Sequence, residues 1–241
     1  MKRKRCTAIL LAAGNGKRMK SCMRKQFMPL AGKPLIWYPL LAVEASDIID
    51  DCILVTGKED IPYMKKEIVD KYHFRKVTEI VAGGEERCFS VANGLNALGE
   101  RHGGYVFIHD GARPFLTETL LKNTYEAVQK YHACVAAVPV KDTIKIGDGE
   151  GFAAATPPRN RLWTIQTPQV FDVELITRAY GRLTEQWDVL REKGITVTDD
   201  AGVVELFTDV KVKLVESTYD NIKITTQEDI FFATSLIRPV F

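Results

Sequence analysis

Leu10-Leu11-Ala12-Ala13-Gly14-Asn15-Gly16-Lys17-Arg18-Met19-Lys20-Ser21-Cys22-Met23-Arg24-Lys25 is an apolar strand end that opens into a loop of small residues threaded with basic side chains. Ala12, Ala13, Gly14 and Gly16 let backbone N–H groups come close to a polyanion. Arg18 and Lys25 put positive charge where negative charge builds up in phosphoryl or nucleotidyl transfer. The spacing is G-x-G-x-x-M, which is neither the dinucleotide G-x-G-x-x-G nor the P-loop G-x-x-x-x-G-K-[ST]. Taken alone, a phosphate loop and a solvated strand-to-helix turn both fit it.

Outward from this loop the chain alternates. Apolar, β-prone runs recur at Thr7–Leu11, Cys52–Val55, Val77–Val81, Tyr105–Ile108 and Cys134–Val138. Between them, Pro34–Ser46, Ile61–Tyr72, Glu85–Leu98 and Thr117–Tyr131 carry apolar residues at helical spacing, several behind a Pro, Thr or Glu that suits a helix start. Such alternation predicts an α/β fold with a single doubly wound, mostly parallel sheet, whose ligands bind at the carboxyl ends of the strands. After Pro139 the pattern breaks. Lys141–Trp163 holds three glycines and two prolines between short β-prone pieces, which reads as a projecting β-arm. Ile144 and Trp163 would be poorly covered on a solvent loop, so a contact with a second copy is the better reading. Helices return from Asp172, with a further strand within Leu206–Val215 and a closing helix at Gln227–Leu236. No repeat or linker divides the chain, so residues 1–241 are expected to form one domain.

Bulk composition excludes several classes. Thirty-three basic against 31 acidic residues leave a net charge of +2, too balanced for general nucleic-acid binding, so any anion site is local. No apolar run approaches the roughly 20 residues that span a bilayer, and the basic Met1–Arg5 start reads as a solvated tail. Five scattered cysteines without a C-x-x-C pair point to no disulfide framework or zinc site and fit a reducing cytoplasm. The four histidines lack metal-ligand spacing and read as surface or hydrogen-bonded core residues.

Three further clusters add chemistry. Asp110, in His109-Asp110-Gly111-Ala112-Arg113-Pro114 after a strand, is placed either to hold Mg²⁺ beside a polyphosphate or to make a turn. Gly83-Gly84-Glu85-Glu86-Arg87-Cys88-Phe89-Ser90 is either a backbone that reads a base edge or a plain strand-to-helix turn. Thr218–Thr226 brings Asp220 and Lys223 just ahead of the last helix.

Read as an ordered set, these segments resemble the cytidylyltransferases that make 4-diphosphocytidyl-2-C-methyl-erythritol in the non-mevalonate isoprenoid pathway. The resemblance spans nearly the whole chain and rests on Leu11–Met19, Lys25–Phe27, Gly32–Pro34, Gly83–Ser90, His109–Pro114, Thr167–Gln169, Thr198–Asp200 and Asp220–Thr225. It implies a Rossmann-like nucleotidyltransferase fold, dependence on Mg²⁺ or another hard divalent cation, and a homodimer with interlocking arms. It further implies that Arg18, Lys25 and Lys223 are catalytic. Ala12, Ala13, Gly14, Asn15 and Gly16 would hold the CTP triphosphate, and Gly84, Glu85, Arg87 and Ser90 the cytosine and ribose. Arg113, Thr143, Arg159, Thr167 and Lys223 would contact the polyol phosphate, with Asp110 and Asp220 on the metal. Arg24 departs from the Pro or Asn that many members have before the catalytic lysine. The sister family that uses ribitol 5-phosphate, and a non-catalytic nucleotide-binding homologue, remain alternatives.

Overall fold

The computed structural model describes residues 3–14, 23–99 and 103–237. The chain opens with β1 (Cys6–Ala12), a small ribbon of β2 (Pro29–Leu30) and β3 (Lys33–Pro34), and α1 (Trp37–Ala45). Then follow β4 (Asp51–Thr56), α2 (Ile61–Tyr63, continued by a π-helical stretch Met64–Asp70), β5 (Val77–Ala82), α3 (Arg87–Asn96), β6 (Tyr105–Asp110), α4 (Glu118–Tyr131) and β7 (Ala133–Pro139). The arm carries β8 (Ile146–Gly147) and β9 (Ala153–Ala155). The remainder is β10 (Trp163–Asp172), α5 (Val173–Glu185), α6 (Trp187–Glu192), α7 (Asp200–Phe207), β11 (Lys213–Glu216) and α8 (Gln227–Leu236).

Seven strands form one sheet in the order β11-β7-β10-β6-β1-β4-β5. All neighbours run parallel except β10, which is antiparallel to both β6 and β7. The central strands β1, β4 and β6 are buried along nearly their whole length because both faces are covered, with apolar middles and polar residues only towards their ends. Leu40, Met64, Ile68, Leu121 and Val128 pack on one face, and Val91, Leu95, Ile176, Leu183 and Val203 on the other. Each expected strand and helix is present, with ends shifted by a few residues. Helix starts follow local chemistry: the Thr117 hydroxyl accepts from the Leu120 N–H, and Thr226 and Asp229 form a reciprocal capping box at α8.

Two readings change. The long strand β10 was not anticipated, because its middle is the polar run Gln166-Thr167-Pro168-Gln169, where a bulge interrupts pairing with β7 and the Thr167–Pro168 peptide is cis. Asp110 is the last residue of β6 rather than the first of the following turn. The arm is a short hairpin whose residues 141–156 are all exposed, including Phe152 at 71%.

Candidate active site

The chain leaves β1 for β4 and β5 on one side, then returns to β6 on the other, so the strand order reverses between β1 and β6. Backbone ends diverge at such a point and leave a crevice. Here it is a cavity of about 500 Å³, inside the range common for small-molecule sites. Ala12, Ala13 and Gly14 line it from β1, Gly83 to Arg87 from the β5–α3 turn, and Asp110 from β6. Asn15, Gly16 and Arg18 lie outside the described residues. Gly83 is required by close approach: a Cβ there would stand 2.3 Å from Ala13 Cβ. The turn after it is fixed by Ser90, whose Oγ accepts from the Gly84 N–H (3.1 Å) and donates to the Glu86 carbonyl (3.2 Å). Glu85 stays exposed at the mouth.

Asp110 is the electrostatic centre. Its Oδ2 is 2.6 Å from Lys223 Nζ and 3.9 Å from Arg113 Nε, and its Oδ1 is 3.5 Å from Arg87 Nε. Burial opposes the charge, but Arg87, Lys223 and Arg113 together hold the carboxyl well below the usual carboxylate range. The Arg87 fork is bidentate to Asp200, at 2.8 and 2.7 Å. Burial works against the Arg87 charge too, yet Asp200 and then Asp110 more than offset it, so the guanidinium is held above its ordinary value.

The geometry of β6 is locked from behind. The Asp110 N–H donates to Thr167 Oγ1 (3.0 Å), and that oxygen lies 3.0 Å from His109 Nδ1. His109 Nε2 faces the Arg113 carbonyl at 3.2 Å, which can only accept, so Nε2 carries the proton and the Thr167 hydroxyl donates to Nδ1. Burial pushes the imidazole down to about 4, which keeps it neutral. Lys223 is held by its neighbours. Buried Asn221 donates to Gln166 Oε1 and the Thr167 carbonyl, accepts from Arg113 Nη1 at its own carbonyl, and the Ile224 N–H bonds the Ala112 carbonyl.

A second cavity, about 330 Å³, adjoins the first and shares Arg87, Asp110 and Lys223 with it. Arg113, Ile165, Gln166, Thr167, Gln169, Thr198 and Asp199 complete it. Arg113 Nε is buried there without a hydrogen-bond partner among the described residues, a donor ready for a ligand oxygen. Thr143 and Arg159 line neither cavity; they are exposed on the arm, where Arg159 Nη1 donates to the Lys141 carbonyl.

Lys25 lines the first cavity from a 3₁₀ turn at Lys25–Phe27. The turn is pinned by the Gln26 carbonyl, which accepts from the Ile36 N–H, by Phe27 edge-on to Tyr63, and by Arg24 paired with Asp60 at 2.9 Å. Gly57 leaves room for that pair, since a Cβ there would come within 2.9 Å of both Arg24 and Asp60.

No group of three or more His, Cys, Asp or Glu able to hold a metal occurs among the described residues. A buried carboxylate facing a cavity that is also lined by Arg24, Lys25, Arg87 and Lys223 fits a hard divalent cation that arrives with phosphate oxygens and waters, not an all-protein cage. Asp110 meets that description. Asp220 is exposed on a turn and lines neither cavity.

Residues 6–239 match the family model described as 2-C-methyl-D-erythritol 4-phosphate cytidylyltransferase. The chain belongs to this family. A relative of that name from Lachnospira eligens is 51% identical over 96% of this chain and 99% of its own, and one from Lachnoclostridium phytofermentans is 44% identical over 96% of each. The crystal structure of 4-diphosphocytidyl-2C-methyl-D-erythritol synthase from Anaerococcus prevotii superimposes with a TM-score of 0.82 at 37% identity, covering 97% of this chain and 98% of that one.

Within this cytidylyltransferase fold, several structural partners carried no assignment from sequence. Asp200, Tyr180, Gln169 and Asn221 are buried polar residues that set the site from behind. The motifs Thr167–Gln169 and Thr198–Asp200 explain one another: Gln169 Nε2 donates to Asp199, Gln169 Oε1 accepts from the Ala201 N–H, and Asp199 caps α7. A polar residue flanked by motif residues was the available signal, and its partner was out of reach in sequence.

Proposed function

We propose that the protein transfers CMP from CTP to 2-C-methyl-D-erythritol 4-phosphate, giving 4-diphosphocytidyl-2-C-methyl-D-erythritol and pyrophosphate. The observation that carries the assignment of roles is the pair of adjoining cavities that meet at Asp110, Arg87 and Lys223. The cavity under the β1 loop takes the nucleotide, with Ala12 to Gly16 along the triphosphate and Gly84, Glu85, Arg87 and Ser90 around the base and ribose. The cavity against β10 takes the polyol phosphate, with Arg113 Nε and Thr167 on its wall.

A phosphate oxygen of the acceptor attacks the α-phosphorus in line, the bond to the β-phosphate oxygen breaks, and pyrophosphate departs with its electron pair. No covalent enzyme intermediate is needed, so the side chains align the reactants and stabilise charge. Lys25 and Arg18 neutralise charge at the α-phosphorus and on the leaving group. Lys223, at the seam of the two cavities and partly exposed, leaves Asp110 to bridge the two substrates' phosphates. Mg²⁺ or a similar hard cation would be held by Asp110 with the triphosphate, and supplies charge neutralisation on its oxygens; Asp220 is a weaker second ligand.

The chain works as a single catalytic domain in a cytoplasmic homodimer, in which Thr143 and Arg159 on the arm reach the neighbouring subunit's acceptor cavity. The exposed apolar residues Ile144, Ile146 and Phe152 on that arm support this reading. Among the described residues no helix is long and apolar enough to cross a membrane. The test offers CTP with each polyol phosphate separately: pyrophosphate release with the methylerythritol phosphate is expected, and release with ribitol 5-phosphate alone overturns the assignment.

A further inference from the structure

Arg87 stands between two carboxylates, and it does not treat them equally. Both of its Nη atoms go to Asp200, at 2.8 and 2.7 Å, while only Nε faces Asp110, at 3.5 Å. A planar fork on a carboxylate is the strongest pairing arginine makes, and 3.5 Å lies beyond a good hydrogen bond. Asp200 itself lines neither cavity and is fully buried. Three elements fix it: Tyr180 on α5 donates to Oδ1 at 2.5 Å, Asp199 caps the first turn of α7, and Gln169 on β10 holds both Asp199 and the Ala201 N–H. A carboxylate so heavily anchored, 113 residues from Arg87 in sequence, decides which way the guanidinium points.

We propose that Asp200 is a positioning residue that holds the Arg87 fork away from Asp110 and thereby keeps the Asp110 carboxylate open to the divalent cation that arrives with the nucleotide. Tyr180 assists by fixing Asp200. Without the Asp200 charge, Arg87 turns its fork to Asp110, which already faces Lys223 and Arg113, and three cations then compete with the metal for one carboxylate. The inference rests on the reading of Asp110 as the cation ligand. A purely structural Asp200, bracing α3 against α7, would affect stability and leave cation binding alone.

Mn²⁺ binding separates the two. Free Mn²⁺ is counted by its electron paramagnetic resonance signal in the presence of the full-length protein and α,β-methylene-CTP, for the wild type, Asp200→Asn, Tyr180→Phe and Asp110→Asn, each checked for fold by circular dichroism. Removing an outer partner of a metal ligand typically costs 10–100-fold in metal affinity, so, measured as binding beyond that of the nucleotide analogue alone, Asp200→Asn is expected to weaken Mn²⁺ about 10-fold or more, Tyr180→Phe roughly 3-fold, and Asp110→Asn to abolish this protein-dependent binding. In turnover the Asp200 variant needs more Mg²⁺ for half-maximal rate while its kcat at saturating Mg²⁺ is largely kept. Unchanged Mn²⁺ affinity in Asp200→Asn, with binding lost in Asp110→Asn, overturns the positioning role and leaves the Asp110 reading standing. Unchanged affinity in Asp110→Asn overturns both. If Asp200→Asn fails to fold, Tyr180→Phe decides, and an unweakened affinity there overturns the proposal.

Discussion

The end of β6 and the arm are built on opposite terms. At β6, Asp110, His109, Thr167, Asn221, Arg113 and Asp200 are buried, and their hydrogen bonds and ion pairs come from strands and loops far apart in sequence. On the arm, residues 141–156 are exposed, and its hairpin is held by a few local bonds such as those from the Glu150 and Phe152 N–H groups to Asp148 Oδ1. The members of the first region depend on one another, because removing any one of them strands a buried charge or dipole. The second presents apolar side chains with nothing of its own chain to cover them. The comparison separates a charge-dense cluster closed by contacts within the chain from a segment whose apolar side chains the chain itself leaves uncovered.

The largest effects come from breaking the centre. Lys25→Ala, on the cavity wall, is expected to lower kcat/KM roughly 10³-fold, the scale of losing a charge-stabilising donor, with the circular dichroism spectrum intact; unchanged turnover would reject its transition-state role. Lys223→Ala is expected to do the same at little cost in thermal stability because its side chain is partly exposed. The arm ranks second. Phe152→Asp is expected to weaken self-association ~30-fold, the worth of a buried aromatic hot spot, and to make specific activity depend on protein concentration. Sedimentation of the wild type as a monomer at micromolar concentration, with concentration-independent activity, would remove the arm's role.

The same contrast explains how much could be read from sequence. The β1 loop, the alternating elements and Asp110 at a strand end announce themselves through local period and glycine spacing. Asp200 to Arg87, Gln169 to Asp199 and Asn221 to Thr167 are pairings of polar residues that only the folded sheet brings together, and no local pattern marks them. β10 was hidden for a related reason. Its buried middle is polar because it serves the site, so neither alternation nor an apolar run betrays a strand. Arg24, the departure from the family pattern beside Lys25, pairs with Asp60 on the loop after β4, a partner 36 residues away that no local pattern marks.

That pair lies between the two extremes, half-buried at the rim of the cavity, and its effect is smaller. It ties the Lys25 turn to the β4–α2 loop. Arg24→Ala is expected to lower kcat/KM about 5-fold, the equivalent of ~1 kcal/mol for a partly exposed ion pair, through poorer placement of Lys25. The double reversal Arg24→Asp with Asp60→Arg should recover part of that loss, whereas a reversal no better than either single change would mean the pair does not act as a unit.

The buried thiols report on stability of the sheet and not on activity, and they should react slowly. Cys6, Cys52 and Cys134 are completely buried in β1, β4 and β7, and burial pushes the Cys6 and Cys134 thiols up to about 12 and Cys52 up as well. Thiolate is the reactive form, so each should alkylate on the order of 10³-fold more slowly in the native protein than in urea at pH 8. Iodoacetamide labelling mapped by mass spectrometry reads this directly. Because reaction of a buried thiol requires the strand around it to open, rapid native labelling at Cys134, near the start of the strand that leads into the arm, would show that the sheet opens more readily than its packing indicates.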